Sequence, residues 1–542
     1  MARKRAISIL YPDPNNTAGC VMSDTAFHDI GLDFILEKLS MRQNERFLIA
    51  SVMKNMFSDP EVTRFRTGIF EDILANPKMC DRIIKLLDQI QFLNEYGSFR
   101  REHDIKTGLW ELLHRLSELN DYINCIDSIR ECLSEYELKS EGFAKLREYL
   151  DRIYDESLFN ELKKDVASLK ATTDTLKSIT LGINLNPGFE VDSIGIVSVN
   201  NKPFKSSGIL NNFADALLTK DGIQDGCDWN GQLRYHPATL MSVPEQDGGK
   251  NLTHNIDKEV SQLLSDITKR LEKLLSRYVT ISISDITDLI PEFMYYVRWA
   301  AFINELKAKG FGFCTASIIE EGRTRMEAEG LYNLKLAAAG EIEAKDIVSN
   351  DLDFTDEHTV YLLTGANRGG KTTITQAVGL LYALAQGGIS VPAADFAFQP
   401  ADCIYTHYPA DEDKTLDLGR LGEECRRFKE IFVNCTDKSL LLLNETFSTT
   451  SFEEGYYIAA DTVKALLCKG IRTVFNTHMH KLAVEIDKLN SEDVPCKAAS
   501  LVAVSDERER TFKVIVAPPP GSSYAADIAV KYGVTFDQLM AT

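Results

Sequence analysis

Gly365-Ala366-Asn367-Arg368-Gly369-Gly370-Lys371-Thr372 reads G-x-x-x-x-G-K-[ST], and it stands between the apolar run Val360–Thr364 and the helical pattern TTITQAVGLLYALA that begins at Thr372. The order is strand, loop, helix. Glycines let successive backbone N–H groups curl around phosphates, and the helix N-terminus adds its positive dipole end. Lys371 is then placed to pair with the terminal phosphates, and the Thr372 hydroxyl to ligate Mg²⁺. The stretch predicts a nucleoside triphosphate site, with Thr373 opening the helix behind it.

Farther along, Ser439–Leu443 predicts a second strand, and it runs into Asn444-Glu445. An unbroken leucine run suits a central parallel strand covered on both faces, whose carboxyl end is where ligands meet such sheets. Glu445 is there in position to orient or deprotonate an attacking water. A third strand, RTVFNTH, ends in Thr477-His478, where His478 can hydrogen-bond a γ-phosphate. His480 adds no metal reading, because no Cys or acidic partner stands at ligand spacing.

Strands alternating with helical segments from about 311 to 542 predict an α/β domain with a largely parallel sheet. Upstream, apolar residues recur at three and four positions from Phe27 to Ser140, as in GLDFILEKLSM, and predict a packed helical body. Leu146 to Leu169 carries the stripe of one long helix, matched by a second stripe from Ile256 to Tyr278, and the two are expected to pair. Between them ITLGINLN and DSIGIVSVNNKPF alternate as strands, Asn200-Asn201 offers a turn, and the Gly-, Asp- and Asn-rich stretch Lys220 to Asn255 reads as loop. The expected division is a helical core (1–140), a lever with a partly β, clamp-like insertion near 180–255 (141–290), a return to the core (291–310) and a P-loop ATPase domain (311–542).

The 542 residues hold 60 Lys+Arg against 80 Asp+Glu, a formal charge of −20. That balance excludes a protein that coats nucleic acid or anionic lipid by bulk charge, so any DNA contact must be local. Eleven scattered cysteines, never spaced C-x-x-C, suit reduced thiols. The short AISIL run near the N-terminus is too brief for a signal sequence, and no stretch is long enough to span a membrane. A soluble cytoplasmic protein is expected.

TGANRGGKTT, VSNDLDF before it, and LLLLNETFSTTSFEEG and FNTHMHKLA after it resemble the ATPase domain of the MutS family of DNA mismatch-repair proteins. INLNPGFEVDSIGIVSVNNKPF is similar to that family's lever and clamp region, and GSSYAADIAVKYGVTFDQLMA to the segment closing its ATPase domain. The likeness runs over about 25–542. It implies an ABC-type P-loop ATPase using ATP and Mg²⁺, with Gly365 to Thr373 on the phosphates and metal, Asn350 near the adenine, Glu445 hydrolytic and His478 the switch. It also implies composite sites completed by a neighbouring subunit, hence a homodimer, gated by ATP around DNA and recognising DNA structure more than sequence.

Departures from the pattern sharpen the expectation. Asn444 replaces the family's aspartate, so its water-mediated hold on Mg²⁺ carries no charge, and slow hydrolysis is expected. Gly419, in GRLGEECRRFKEI, replaces a serine of the helix that completes the partner's site. No room is expected for a mismatch-reading module before the helical body. Phe159-Asn160-Glu161 matches that module's Phe-x-Glu, but it lies in the amphipathic stripe and reads as packing. Residues 181 to 255 hold eight acidic and five basic side chains, net −3, where a phosphate-gripping tip would be positive. Two functions follow: an ATP-gated dimeric clamp on DNA in repair or recombination, or a nucleotide-switched protein that holds a protein partner.

Overall fold

The computed structural model describes residues 4–83, 85, 109–173, 177–188, 191–202, 241–242, 265–278, 286, 288–320, 324–365, 369–409, 419–491, 493–505, 510–519 and 534–540. It is a mixed α/β protein of two compact units, one made of residues 1–85, 133–147 and 288–542, the other of 86–132 and 148–287.

The strands of the first unit that matter here are β1 (Thr324–Leu331), β2 (Asn350–Thr355), β3 (His358–Gly365), β4 (Asp395–Phe398), β5 (Ile404–His407), β6 (Leu440–Asn444), β7 (Arg472–Asn476), β8 (Lys497–Ser505) and β9 (Arg510–Val516). The larger sheet has the order β5-β6-β7-β3-β8-β9, parallel except for the antiparallel β8-β9 pair. A smaller mixed sheet joins the two-residue strand Ser317–Ile318 to β4, β1 and β2. Helices α1 (Lys371–Gln386), α2 (Gly419–Asn434) and α3 (Phe452–Lys469) connect parallel strands of the larger sheet.

Leu440 to Leu443 are fully buried, so β6 must be covered on both faces. Leu441 and Leu443 enter a cluster with Val360 and Leu362 of β3 and Val463 and Leu466 of α3. Leu442, on the opposite face, meets α1 at Gly379, where a Cβ would lie 2.8 Å from Leu442 Cδ1 and 2.6 Å from Ile30 Cγ2. The glycine lets α1 fit between the sheet and the N-terminal helices.

Those helices are Asp24–Asp29, Leu32–Leu39, Gln43–Lys54 and Pro60–Ala75, and the first and last start at side-chain caps. Ser23 accepts from the Ala26 N–H, and Asp59 from the Glu61 N–H ahead of a helix whose first residue is Pro60. Helix Ile290–Ala308 returns through them, buried nearly all round. Arg66 ties this body to the end of α1 by donating to the carbonyls of Leu10 at 3.0 Å and Gln386 at 3.1 Å.

In the second unit the long helix expected over 146–169 is two helices, Glu141–Asp155 and Ser157–Thr173, broken at Glu156. The Glu156 carbonyl accepts from Phe159 N, starting a new turn. Phe159 is buried, and its ring packs against Tyr122 and Tyr154. Helix Ser265–Leu275 and the turn after it carry part of the second stripe, and Tyr278 donates to Asp165 at 2.6 Å. The alternating segments form a hairpin, Ser178–Leu185 with Val191–Asn200. Its turn is at Asn186-Pro187-Gly188, where the Asn186 side chain accepts from Gly188 N at 2.9 Å. Asn200-Asn201 instead lies at the hairpin's open end, beside Ser178. Met241–Ser242, expected as loop, adds a short third strand. Most of the acidic lobe, 203–240 and 243–264, lies outside the described residues. Among the described residues no helix is long and apolar enough to cross a membrane, and every cysteine is a free thiol.

Filling the Gly379 notch overpacks the α1–β6 contact. Gly379→Val is expected to lower the stability of the first unit by about 2 kcal/mol, read as an earlier urea transition. An unchanged transition would show that the contact yields.

Candidate functional site

Strands β3, β6 and β7 are neighbours, and their carboxyl ends converge on the N-terminus of α1. At the end of β3, Gly365 has φ +136°, and a Cβ there would come within 2.9 Å of Ala503. Both conformation and space demand glycine. Ala366, Asn367 and Arg368 lie outside the described residues. Gly369 follows, and Gly370 (φ +88°) caps α1 in the left-handed region.

Lys371, the first residue of α1, is buried and donates to the Gly365 carbonyl at 3.0 Å, across the loop. Burial lowers its pKa from the ordinary lysine range, and the Glu445 carboxylate opposes that shift. Thr372 is exposed, and its hydroxyl donates to Asn444 Oδ1 at 3.2 Å. Asn476, at the end of β7, directs its amide N–H groups at Thr372 Oγ1 (3.4 Å) and Asn444 Oδ1.

Glu445 sits just past β6 with φ +52°, its N–H donating to the Asn476 carbonyl at 2.8 Å. A non-glycine residue held there stores about 1 kcal/mol of backbone strain. The conformation aims the side chain at β7, and Glu445 Oε1 lies 2.6 Å from His478 Nε2. His480 is close enough to Lys371 and His478 for their charges to add to burial in lowering its pKa.

Asn350 has a different surrounding. Its Oδ1 accepts from Val514 N at 2.7 Å, and its Nδ2 reaches the Phe512 carbonyl at 3.4 Å, so it staples β2 to β9. It also borders a cavity of about 230 Å³ shared with Tyr332, Ile347, Gly370, Thr373 and Phe512. This largely apolar space adjoins the start of α1 and suits a flat ring.

Of the residues singled out in the sequence, Gly365, Lys371, Thr372, Asn444, Glu445 and His478 come together, whereas Asn350 lies with Gly370 and Thr373 around the cavity. Gly419 begins α2. Two residues were not anticipated. Asn476 stands opposite Asn444 in the β6–β7 register, a relation visible in sequence only by aligning the ends of two strands known to be neighbours. His407 ends β5, fully buried.

His407 Nε2 lies 3.2 Å from the Glu424 carbonyl and Nδ1 3.0 Å from Thr446 Oγ1. A carbonyl only accepts, so Nε2 carries the proton, while the Thr446 hydroxyl, beside Nδ1, also donates to the His407 carbonyl at 3.1 Å. Thr449 donates to the buried Glu424 carboxylate at 2.9 Å, a second tie from α2 to the turn that follows Glu445. Burial, with Arg427 nearby, lowers the His407 pKa to about 4.

Two models of the MutS family match this chain, MutS domain V over residues 361–534 and the MutS2 N-terminal domain over 58–309. The protein is thus MutS-like in both its parts. An Endonuclease MutS2 of Caldicellulosiruptor bescii is 32% identical over 425 residues, 76% of this chain and 47% of that protein. A DNA mismatch repair protein MutS of Acetivibrio thermocellus is 25% identical over 430 residues, 68% of this chain and 49% of its own. One from Chlorobium chlorochromatii is 30% identical over 246 residues, 44% and 28% of the two chains. The chain spans less than half the length of each of these relatives.

The neutral state of His407 favours folding above the ordinary histidine pKa near 6.5, and that advantage disappears as pH falls through about 4. Relative to His407→Gln, the wild type is expected to lose up to about 3 kcal/mol of stability between pH 7 and pH 4. Paired urea unfolding series check this, and parallel pH profiles would show that His407 does not titrate as a buried neutral base.

Proposed function

We propose that this chain binds and slowly hydrolyses ATP and works as the engine of a dimeric, ATP-gated clamp on DNA in repair or recombination. The observation that carries the reading is the convergence of Lys371, Thr372, Asn444, Glu445 and His478 where three parallel strands meet the start of one helix. In this reading Gly365 to Thr373 cradle the phosphates, with Lys371 compensating their charge as it leaves the Gly365 carbonyl. Adenine occupies the cavity beside Asn350 and Phe512.

Glu445, oriented by its left-handed backbone, takes the proton of the attacking water. His478 holds the carboxylate in place and is displaced toward the γ-phosphate when nucleotide enters. The residues at the place of a Mg²⁺ accompanying ATP, Thr372 and Asn444, form a donor set without charge. The start of α2 at Gly419 would complete the site of a second copy through its backbone N–H groups. The MutS and MutS2 names of the relatives support DNA as the partner, whereas the net acidic sequence of 181–255 favours a protein partner instead.

Lys371→Ala is expected to abolish ATP binding in a filter assay, and retained affinity would refute the phosphate site. Glu445→Gln is expected to keep binding and lower steady-state hydrolysis by about a hundredfold or more. For the partner, binding to linear and branched duplexes is measured across a salt series with and without ATP. A complex that depends on both salt and nucleotide supports the clamp, and none under any condition would leave the protein-partner reading.

A further inference from the structure

The ends of β6 and β7 hold two amides side by side, Asn444 and Asn476 being partners in the parallel register. Asn476 is fully buried. Its Nδ2 donates to both Asn444 Oδ1 and Thr372 Oγ1, while the Thr372 hydroxyl donates to the same Asn444 oxygen. The three side chains close a ring of hydrogen bonds. The structure assigns Asn476 as the donor and Asn444 as the acceptor of the ring; turning the Asn476 amide alone would set its carbonyl against that of Asn444.

This ring occupies the place where the reading above puts a divalent cation. Mg²⁺ demands a near-octahedral shell of oxygens, usually with one or two carboxylates beside the phosphates. Here the Asn444 oxygen already accepts from two donors, and the Asn476 amide presents N–H groups, the positive end of its dipole, to the Thr372 oxygen. The adjacent carboxylate, Glu445, is engaged by His478 at 2.6 Å. Such a donor set does not fit a resident Mg²⁺. It does hold the Thr372 hydroxyl in place with no ion at all. One atom of the ring has no partner, the buried Asn476 Oδ1. An apolar residue at this position would avoid that cost, so the amide's N–H groups are what the site retains.

We propose that Asn444 and Asn476 form an amide clamp that substitutes for the divalent cation, so that this site takes nucleoside triphosphate without Mg²⁺. The proposal rests on the nucleotide reading of the site. Lys371 and the start of α1 then supply the positive field for the phosphates, and the chain responds to nucleotide concentration independently of free Mg²⁺. Metal dependence is confined to whatever accompanies hydrolysis.

The test is equilibrium binding of a fluorescent ATP analogue to the full chain, in Mg²⁺ and in EDTA. The wild type is expected to differ between the two by no more than about threefold. Asn444→Asp with Asn476→Ala restores a carboxylate and removes the competing donors, and Mg²⁺ should then tighten binding by about tenfold or more. Asn444→Asp alone, nearly isosteric, should shift the same way and serves if the double variant does not fold. A wild type that loses about tenfold or more of its affinity in EDTA overturns the clamp, as do variants with the wild type's indifference to the ion. If the wild type binds no nucleotide in either buffer, the nucleotide reading itself fails and the clamp with it.

Discussion

A strand of four consecutive buried leucines cannot lie at a surface. Leu441 and Leu443 need one cover and Leu442 another, and at roughly 2 kcal/mol for each buried side chain the run strongly favours a place in the middle of a sheet. The connecting helices supply the cover: α3 on the Leu441 side and α1, notched at Gly379, on the Leu442 side. Once β6 is central and its neighbours run parallel to it, the carboxyl ends of β3, β6 and β7 lie together. Asn444, Glu445, Asn476 and His478 hang from the ends of β6 and β7, facing Lys371 and Thr372 at the start of α1, so much of the geometry is a by-product of burying the leucines.

The polar turn after β6 is the opposite case, since it is held against local preference. Glu445 and Phe447 both have positive φ, conformations that an L side chain adopts only when its surroundings compel it. Phe447 is buried against His407 and Phe428. Thr446 and Thr449 are bonded to His407 and to Glu424 of α2. A neutral imidazole is well suited to this junction, because it gives a hydrogen bond to the Glu424 carbonyl without bringing a charge into the core. The turn carrying Glu445 and the helix beginning at Gly419 are therefore one mechanical piece. Any displacement of Glu445 by a ligand must be absorbed by α2 or by the strain in the turn.

Much of the cluster was legible because its parts are local in sequence: a glycine-rich loop between strand and helix, an acidic residue closing an apolar strand, a histidine closing another. What was not legible depended on neighbours across the sheet. Asn476 matters only because β7 lies beside β6, and His407 only because β5 lies on the other side. Periodicity erred in the second unit for similar reasons. The stripe over 146–169 runs across a break at Glu156 that periodicity does not show, and just beyond it Phe159 is buried while Leu158 of the stripe is exposed. Asn200-Asn201 has good turn residues, but Asn186-Pro187-Gly188 combines a rigid φ, a glycine and a side-chain acceptor, and the stronger turn sets the register.

The pairing of Asn444 with Asn476 bears on how the departure from an aspartate should be understood. An isolated Asp-to-Asn change leaves the old surroundings, built for charge and water, around a neutral group. Here the second amide donates to the first and to Thr372, satisfying the very oxygens that would otherwise face a cation. Removing charge and filling its hydrogen-bonding capacity are separate steps, and the two together make a neutral corner whose Asn444 and Thr372 oxygens are satisfied without an ion. The neighbouring pair, by contrast, keeps a carboxylate, with Glu445 against His478 at 2.6 Å. On the proposed reading the site separates two tasks that a bound metal commonly combines: holding the helix-start hydroxyl, done by amides, and acting on the γ-phosphate, left to the carboxylate and imidazole.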